Sequence, residues 1–398
     1  MSSDYLAITL SGRDRPGIAA AFAAILQQAR ARIVDVEQAT LQDILALSFL
    51  VDLAPGRVSQ RDVLDDLLRQ AKEMGLELNS RAFSPQEMVT RKARFLYVIT
   101  CISERPVTDV LAEIAPVMAQ RNVNIATIRC LAEKPFSCLE MIADGTHARP
   151  QSGFRAEMLS AAAAHGIDVG IQRESIYRRN KRLIVLDMDS TLISQEIINE
   201  LARVRGVGQE IAHLTERAMR GEIGFPEALR QRVERLQGLT LDEMKQVAES
   251  MSLNEGVERV LRVVKRLGYR VALVSSGFDF FTEYMKRQAG LDYAYGNVLE
   301  MRDGRATGRV TGELIDAAAK ARILLQIAER ERVHPEQVVA IGDGANDILM
   351  LSQAGLGIAF NARPVVKRSA DAAISGGMHS ILYLLGITER DLAEIDAV

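Results

Sequence analysis

The chain has no excess of basic charge, few cysteines and histidines, and no apolar run long enough to span a bilayer. Its 49 Lys and Arg face 52 Asp and Glu, a net charge of −3. That balance gives no basic footprint for nucleic acid and disfavours an anionic membrane, so neither is expected as a partner. An anionic ligand would have to find positive charge locally, at individual Lys and Arg side chains. The three cysteines, Cys101, Cys130 and Cys138, form an odd set without C-x-x-C spacing, and the five histidines are scattered singly. A zinc site therefore has no ligand pattern to rest on, and reduced, buried thiols are expected. No segment approaches the roughly twenty apolar residues of a membrane span. Asp4 stands where a secretion signal would build its apolar core, so a cytoplasmic enzyme is expected.

What is present is the composition of a folded protein. At 398 residues, 48% apolar and 25% charged, the chain is too long for one ordinary core, and two or three domains are expected. The first half holds a loose repeat. Strand patterns at 5–10, 33–41, 44–53 and 76–83 alternate with helical patterns at 17–30 and 59–74. The same order returns with strands at 95–102, 124–132, 136–143 and 167–175 and helices at 107–121 and 152–165. Two βαββαβ units of ferredoxin-like form follow, each an antiparallel sheet with helices on one face.

After the basic run at 178–182 the pattern changes. LIVLD at 183–187, YRVALVS at 269–275 and VVAIGD at 338–343 are unbroken apolar strands, with shorter candidates at 356–360 and 372–375. Strands buried on both faces and separated by helices imply a doubly wound parallel sheet. The helix-rich stretch 196–268 is too long for one crossover and reads as a helical cap. The expected domains are 1–88, 89–178 and 179–398, the last carrying the cap.

Three of these strands end in polar clusters, where open α/β sheets bind their ligands. The first runs into Asp187-Met188-Asp189-Ser190-Thr191, the second into Ser275-Ser276-Gly277, and the third into Gly342-Asp343-Gly344-Ala345-Asn346-Asp347. Oxygen-only ligands from such carboxylates suit a hard ion, Mg²⁺. Ser275, Ser276 and Gly277 offer hydroxyls and N–H groups to a phosphate, or alternatively a helix cap. Lys320, at the start of an apolar-periodic helix, could offset the acidic charge, although a lone lysine is more often a solvated one.

In that order, DMDST, VSSG, Lys320 and GDGAND resemble the haloacid dehalogenase phosphatase superfamily, and within it the phosphoserine phosphatase branch. The resemblance spans 183–350 and implies roles. Asp187 would be the nucleophile, Asp189 the general acid and base, and Lys320 would hold the transferring group with Ser275 and Ser276 or Gly277. Ser276 stands where the family often has glycine. Mg²⁺ would be bound by Asp187, Asp343 and the backbone carbonyl of Asp189, with Asp347 behind them. Asn346 would contact substrate. Glu196 matches a position that binds the substrate ammonium and Arg232 one that pairs with its carboxylate. Met219 and Phe225 match apolar residues that close over the ligand. The implied substrate is a small phosphorylated amino acid, phosphoserine above all. Another phospho-amino acid or a phosphoprotein is the alternative substrate, and a non-enzymatic amino-acid sensor the alternative class.

GRDRPGI at 12–18, between the first strand and first helix, resembles the amino-acid-binding ACT domain, with Gly17 the matching glycine of the effector loop. The second copy reads SERPVTD at 103–109, with Val107 where that glycine would fall, which suggests a structural or interface role. The resemblance implies an amino-acid effector as a further partner, and a homodimer.

Overall fold

The structure is a computed structural model. It describes residues 5–56, 59–84, 95–134, 136–146, 153–220 and 222–397, excluding the side chain of Met219. The expected boundary at 88/89 lies outside these residues. The chain forms two compact units, Met1–Arg94 and Phe95–Val398.

The first unit carries β1 (Tyr5–Arg13), β2 (Arg32–Leu41), β3 (Ile44–Asp52) and β4 (Glu77–Phe83) in the antiparallel order β2-β3-β1-β4. Period-two alternation sends Leu6, Ile8 and Leu10 of β1 and Leu45, Leu47, Phe49 and Val51 of β3 into one core. The helices Ile18–Gln28 and Gln60–Glu73 cover it with Phe22, Leu26, Val63 and Leu67, spaced by three or four residues. Strand β2 is exposed along its whole length.

In the second unit, β5 (Leu96–Ser103), β6 (Asn124–Ala132), β7 (Ser137–Asp144) and β8 (Asp168–Arg173) repeat the βαββαβ order with helices Val107–Gln120 and Phe154–Ala164. Then come β9 (Leu183–Leu186), β10 (Arg270–Phe278), β11 (Tyr293–Arg302), β12 (Arg305–Thr311), β13 (Val338–Gly342), β14 (Leu356–Phe360) and β15 (Ala372–Ile374). All eleven join one sheet, ordered β12-β11-β10-β9-β13-β14-β15-β8-β5-β7-β6. Its centre is the doubly wound parallel sheet expected from the sequence. β9 lies between β10 and β13 and is parallel to both. All four β9 residues are buried, Ile184 and Leu186 in one core and Leu183 and Val185 in another, so an unbroken apolar run is what a strand covered on both faces requires.

Two features went unread in the sequence. The second βαββαβ unit is fused to the parallel sheet through a short antiparallel seam, Gly170 opposite Ala372 and Val169 opposite Ala373. A Cβ on Gly170 would fall 2.5 Å from Leu384 Cδ2, so a larger residue there would have to displace that side chain. The other is the β11–β12 hairpin, turned by Asp303 and Gly304, both at positive φ, as in the two-residue hairpin turns that favour Asp-Gly. It supports the cap: Gly238 N–H donates to the Ala306 carbonyl and Ala306 N–H to that of Leu239. The cap consists of the helices Ile197–Arg205, Gly208–Met219, Phe225–Arg235, Leu241–Glu249 and Val257–Arg266. Cys101 and Cys138 are buried free thiols as expected, but Cys130, on edge strand β6, is exposed.

Candidate active site

Numbered from β9, the six parallel strands run in the order 3-2-1-4-5-6, so the reversal of strand order falls between β9 and β13. Loops diverge there and leave a crevice at the carboxyl ends of the strands. Asp187 follows β9, and its N–H donates to the Ile341 carbonyl of β13. Asp343 and Asp347 follow β13. Among the described residues, one carboxylate oxygen from each of Asp187, Asp343 and Asp347 lies within 4.8 Å of the others.

Lys320 enters from the first turn of the helix Ala317–Arg330, whose Asp316 caps it by accepting from the Ala319 N–H at 2.9 Å. The lysine is fully buried, and its Nζ lies 2.7 Å from both Asp187 Oδ1 and Asp347 Oδ1. Burial alone would lower its pKa. The charges and hydrogen bonds of the two aspartates outweigh that, and the pKa is raised. Asp347 is engaged at both oxygens, since Oδ2 accepts from the Gly344 N–H at 3.0 Å.

The carboxylates outnumber the cation. Burial, then the charge of Asp347, raises the Asp187 pKa well above the usual range despite Lys320. The same two causes push Asp343 up to about 6. Asp189 is pushed up to about 7, first by burial and then by the charge of Glu196. A buried, oxygen-only donor set with surplus negative charge suits a hard divalent cation, so these residues fit the magnesium that the sequence implied.

The loop after β9 is tightly held. Ser190 adopts a left-handed conformation, φ 56°. Its Oγ donates to Glu196 Oε1 at 2.8 Å, and Thr191 Oγ1 donates to Asp343 Oδ1 at 3.2 Å. Asn254 Nδ2 donates to the carbonyls of Ser190, Thr191 and Ile193. A strained conformation held by surrounding groups is common where side chains must be aimed.

At the end of β10, Ser275 is buried and its Oγ accepts from the Gly277 N–H at 2.9 Å. The Ser276 hydroxyl is buried without a partner among the described residues. A Cβ on Gly277 would lie 3.1 Å from Ser275 Oγ and 3.6 Å from Asp189 Oδ2, which puts this turn against the carboxylate cluster. Asn297 supports it from β11, donating to the Ser276 carbonyl and accepting from the Ile315 N–H, both at 2.8 Å.

From the cap, the Arg232 guanidinium is half-buried, and its Nε donates to the Ala228 carbonyl at 3.2 Å. Burial lowers its pKa and the charges of Glu196 and Asp189 raise it, so it stands within electrostatic reach of both. Glu196 is exposed at the start of Ile197–Arg205, and Phe225 is half-buried at the start of its helix against the main core. Asn346 lies over the β13 loop, where its Oδ1 would sit 2.2 Å from a Cβ on Gly344. Gly17 is in the first unit at φ 98°, with nothing within 4 Å of where a Cβ would project, so its conformation and not crowding calls for glycine.

Thr191, Asn254 and Asn297 were not singled out in the sequence. Thr191 belongs to the DMDST cluster and was within reach. The two asparagines act through contacts distant along the chain, and nothing local marks them.

The haloacid dehalogenase-like hydrolase profile matches residues 181–355, and ACT domain profiles match residues 4–80 and 97–172. A phosphoserine phosphatase of Streptomyces coelicolor is 37% identical over 394 residues, covering 99% of this chain and 95% of its own. One from Archaeoglobus fulgidus is 51% identical over 240 residues, 59% of this chain and 70% of its own. Among solved structures, a probable phosphoserine phosphatase of Vibrio cholerae has a TM-score of 0.56 at 31% identity, covering 79% of this chain and 94% of that one. Because the likeness runs through the ACT units as well as the catalytic sheet, this chain belongs to the phosphoserine phosphatase family of haloacid dehalogenase-like hydrolases, and carries two ACT domains.

Proposed function

We propose that the chain hydrolyses O-phospho-L-serine to L-serine and phosphate, through a phosphorylated Asp187. The observation that carries this reading is the buried Lys320, held between Asp187 and Asp347 at the mouth of the parallel sheet. Lys320 fixes one oxygen of Asp187 and leaves the other as the nucleophile. That oxygen attacks phosphorus as the bond to the seryl oxygen breaks, giving an acyl phosphate. Asp189, whose raised pKa lets it hold a proton near neutrality, delivers it to the departing oxygen. In the second half Asp189 takes a proton from the water that attacks phosphorus, which frees phosphate and restores Asp187.

Asp187, Asp343 and the backbone carbonyl of Asp189 would hold magnesium, which supplies positive charge at the phosphoryl oxygens when bound. Asp347, with both oxygens engaged, supports that set and does not complete it. The Ser275 hydroxyl accepts from Gly277 and keeps its own proton for a phosphoryl oxygen. The unpartnered Ser276 hydroxyl, the Gly277 backbone and Asn346 complete the cradle. Glu196 takes the substrate ammonium, the Arg232 fork its carboxylate, and Met219 and Phe225 close over the ligand. The Gly17 loop receives an amino-acid effector, and the protein works as a cytoplasmic homodimer.

Phosphate release from L-phosphoserine, phosphothreonine and an aryl phosphate, each with Mg²⁺ and with EDTA, tests this reading. Metal-dependent turnover is expected on phosphoserine above the others. Activity confined to the aryl phosphate would overturn the substrate, and inactivity of folded protein on all three would overturn the reaction.

A further inference from the structure

A second polar cavity, of about 170 Å³, lies beside the β8–β15 seam, and its lining includes no residue of the carboxylate site. Arg173 of β8, Arg155, Arg178 and Lys181 bring four cations to it, and Glu336 and Asp371 bring two acids. Two of the cations are already paired: Arg155 with Asp371, and Arg178 with Glu140. The other two, Arg173 and Lys181, have no carboxylate within ion-pair distance among the described residues.

Lys181 is the unusual member. Its side chain is buried, and its ammonium has a single hydrogen bond among the described residues, to the Glu336 carbonyl at 2.6 Å. An ammonium has three donors, so two are left unused in a place where unmade hydrogen bonds are costly. Two further buried atoms are orphaned in the same lining. Arg178 Nε is a donor without an acceptor, and Gln172 Oε1 an acceptor without a donor. Gln172 Nε2 is fixed on the Leu384 carbonyl at 2.9 Å, so the amide cannot turn to hide that oxygen. Counting only the buried groups with unmet hydrogen bonds, the lining offers donors at Lys181 and Arg178 Nε and one acceptor at Gln172 Oε1, the complement of an oxyanion that carries one O–H.

We propose that this cavity is a second anion site that takes one hydrogen phosphate group. Lys181, Arg178 Nε and Arg173 donate to its oxygens, and Gln172 Oε1 accepts its hydroxyl. The volume admits a group of phosphate size. Burial lowers the Lys181 pKa to about 8, with Glu336 and Asp371 opposing and Arg178 adding to the shift, and a bound anion would raise it again. Arg173 reaches the cavity from the ACT side of the seam and Lys181 from the catalytic side, so an occupant fastens the two together. Free hydrogen phosphate carries this hydroxyl at neutral pH, and the phosphoryl group of a phosphorylated metabolite carries it in its monoanion, below about pH 6.

The test is a crystal of the full chain soaked in arsenate, a phosphate isostere that keeps the O–H and scatters anomalously. An arsenic peak is expected in the seam cavity, displaced by added phosphate and absent in Lys181→Met. In case that variant folds poorly, Arg173→Gln is the milder one. It should weaken phosphate-induced thermal stabilisation at matched ionic strength by about tenfold in midpoint concentration, with phosphoserine turnover unchanged. O-phosphoserine soaked into the Asp187→Asn variant separates the sources: density for the serine moiety in the seam identifies a metabolite, and a peak with arsenate alone identifies the free anion. A seam cavity without arsenic while the catalytic site is loaded, or equal occupancy in Lys181→Met, would overturn the proposal.

Discussion

Lys320 shows how much of the site rests on single residues. It is fully buried and offsets part of the charge of a cluster that would otherwise repel both itself and a phosphate more strongly. Replacing it by methionine keeps the volume but leaves Asp187 and Asp347 facing each other without a cation. Loss of one partner from a buried pair costs about 3–5 kcal/mol. Lys320→Met is therefore expected to lower the unfolding free energy by about that amount, read by urea denaturation, and to reduce turnover by at least about a thousandfold. Unchanged stability would mean that the cluster is protonated and needs no counter-charge. The aspartates and serines of the site were legible because each cluster sits at the end of an apolar strand, where acidic or hydroxyl groups have no packing purpose, whereas Lys320 lies on a helix and was legible only through its place in the ordered motif set. Asn254 and Asn297 were not, because an asparagine that clamps a distant loop looks locally like any other.

At the scale of elements, the strands and helices of both βαββαβ units, and five of the six parallel strands, followed from periodicity and apolar runs; the sixth, β11, did not. The β11–β12 hairpin was missed although Asp303-Gly304 between two strand-like segments carries a local signal. The β8–β15 seam had none, because its pairing depends on which edges meet. The hairpin gives a direct test. Gly308 has φ 84°, and a Cβ there would approach Gln237 Cβ to 3.1 Å and the backbone of Glu234 to 3.4 Å. Gly308→Ala is expected to destabilise the second unit by about 1–3 kcal/mol, read as a lowered denaturation midpoint. No change would show that the hairpin does not brace the cap.

The seam carries a pH-dependent term. Burial pushes the Asp168 carboxyl at the start of β8 up to about 6, against the Ser375 N–H and the charge of Lys367, which lower it. An aspartate with a higher pKa folded than unfolded binds its proton more tightly in the native state. Its contribution to stability therefore falls as pH rises from about 4 to about 6, and stays low above. Asp168→Asn keeps an oxygen for the Ser375 N–H and removes the charge. Its melting temperature should exceed the parent's by a few degrees at pH 8, a gain that shrinks toward pH 4. A gain independent of pH would contradict the assignment.

At the scale of the whole molecule, the second ACT unit and the catalytic sheet are one folded body, while Met1–Arg94 forms its own. A chain cut to 95–398 is expected to stay folded and to hydrolyse phosphoserine within a few-fold of the full chain. A cut at 179 strips β8 from β15, leaves an unpaired strand edge, and is expected to aggregate or melt earlier, as light scattering during thermal unfolding would show. Equal behaviour of the two fragments would show that the seam adds nothing to stability.

The proposed reaction turns on Asp187 as the phosphoryl acceptor. The most direct measurement is a rapid acid quench of the enzyme during turnover of phosphate-labelled L-phosphoserine, followed by peptide mapping. The label is predicted on the peptide containing Asp187, rising within the first turnover and absent in Asp187→Asn. Full turnover with no label on that peptide, or turnover that survives Asp187→Asn, would contradict the account.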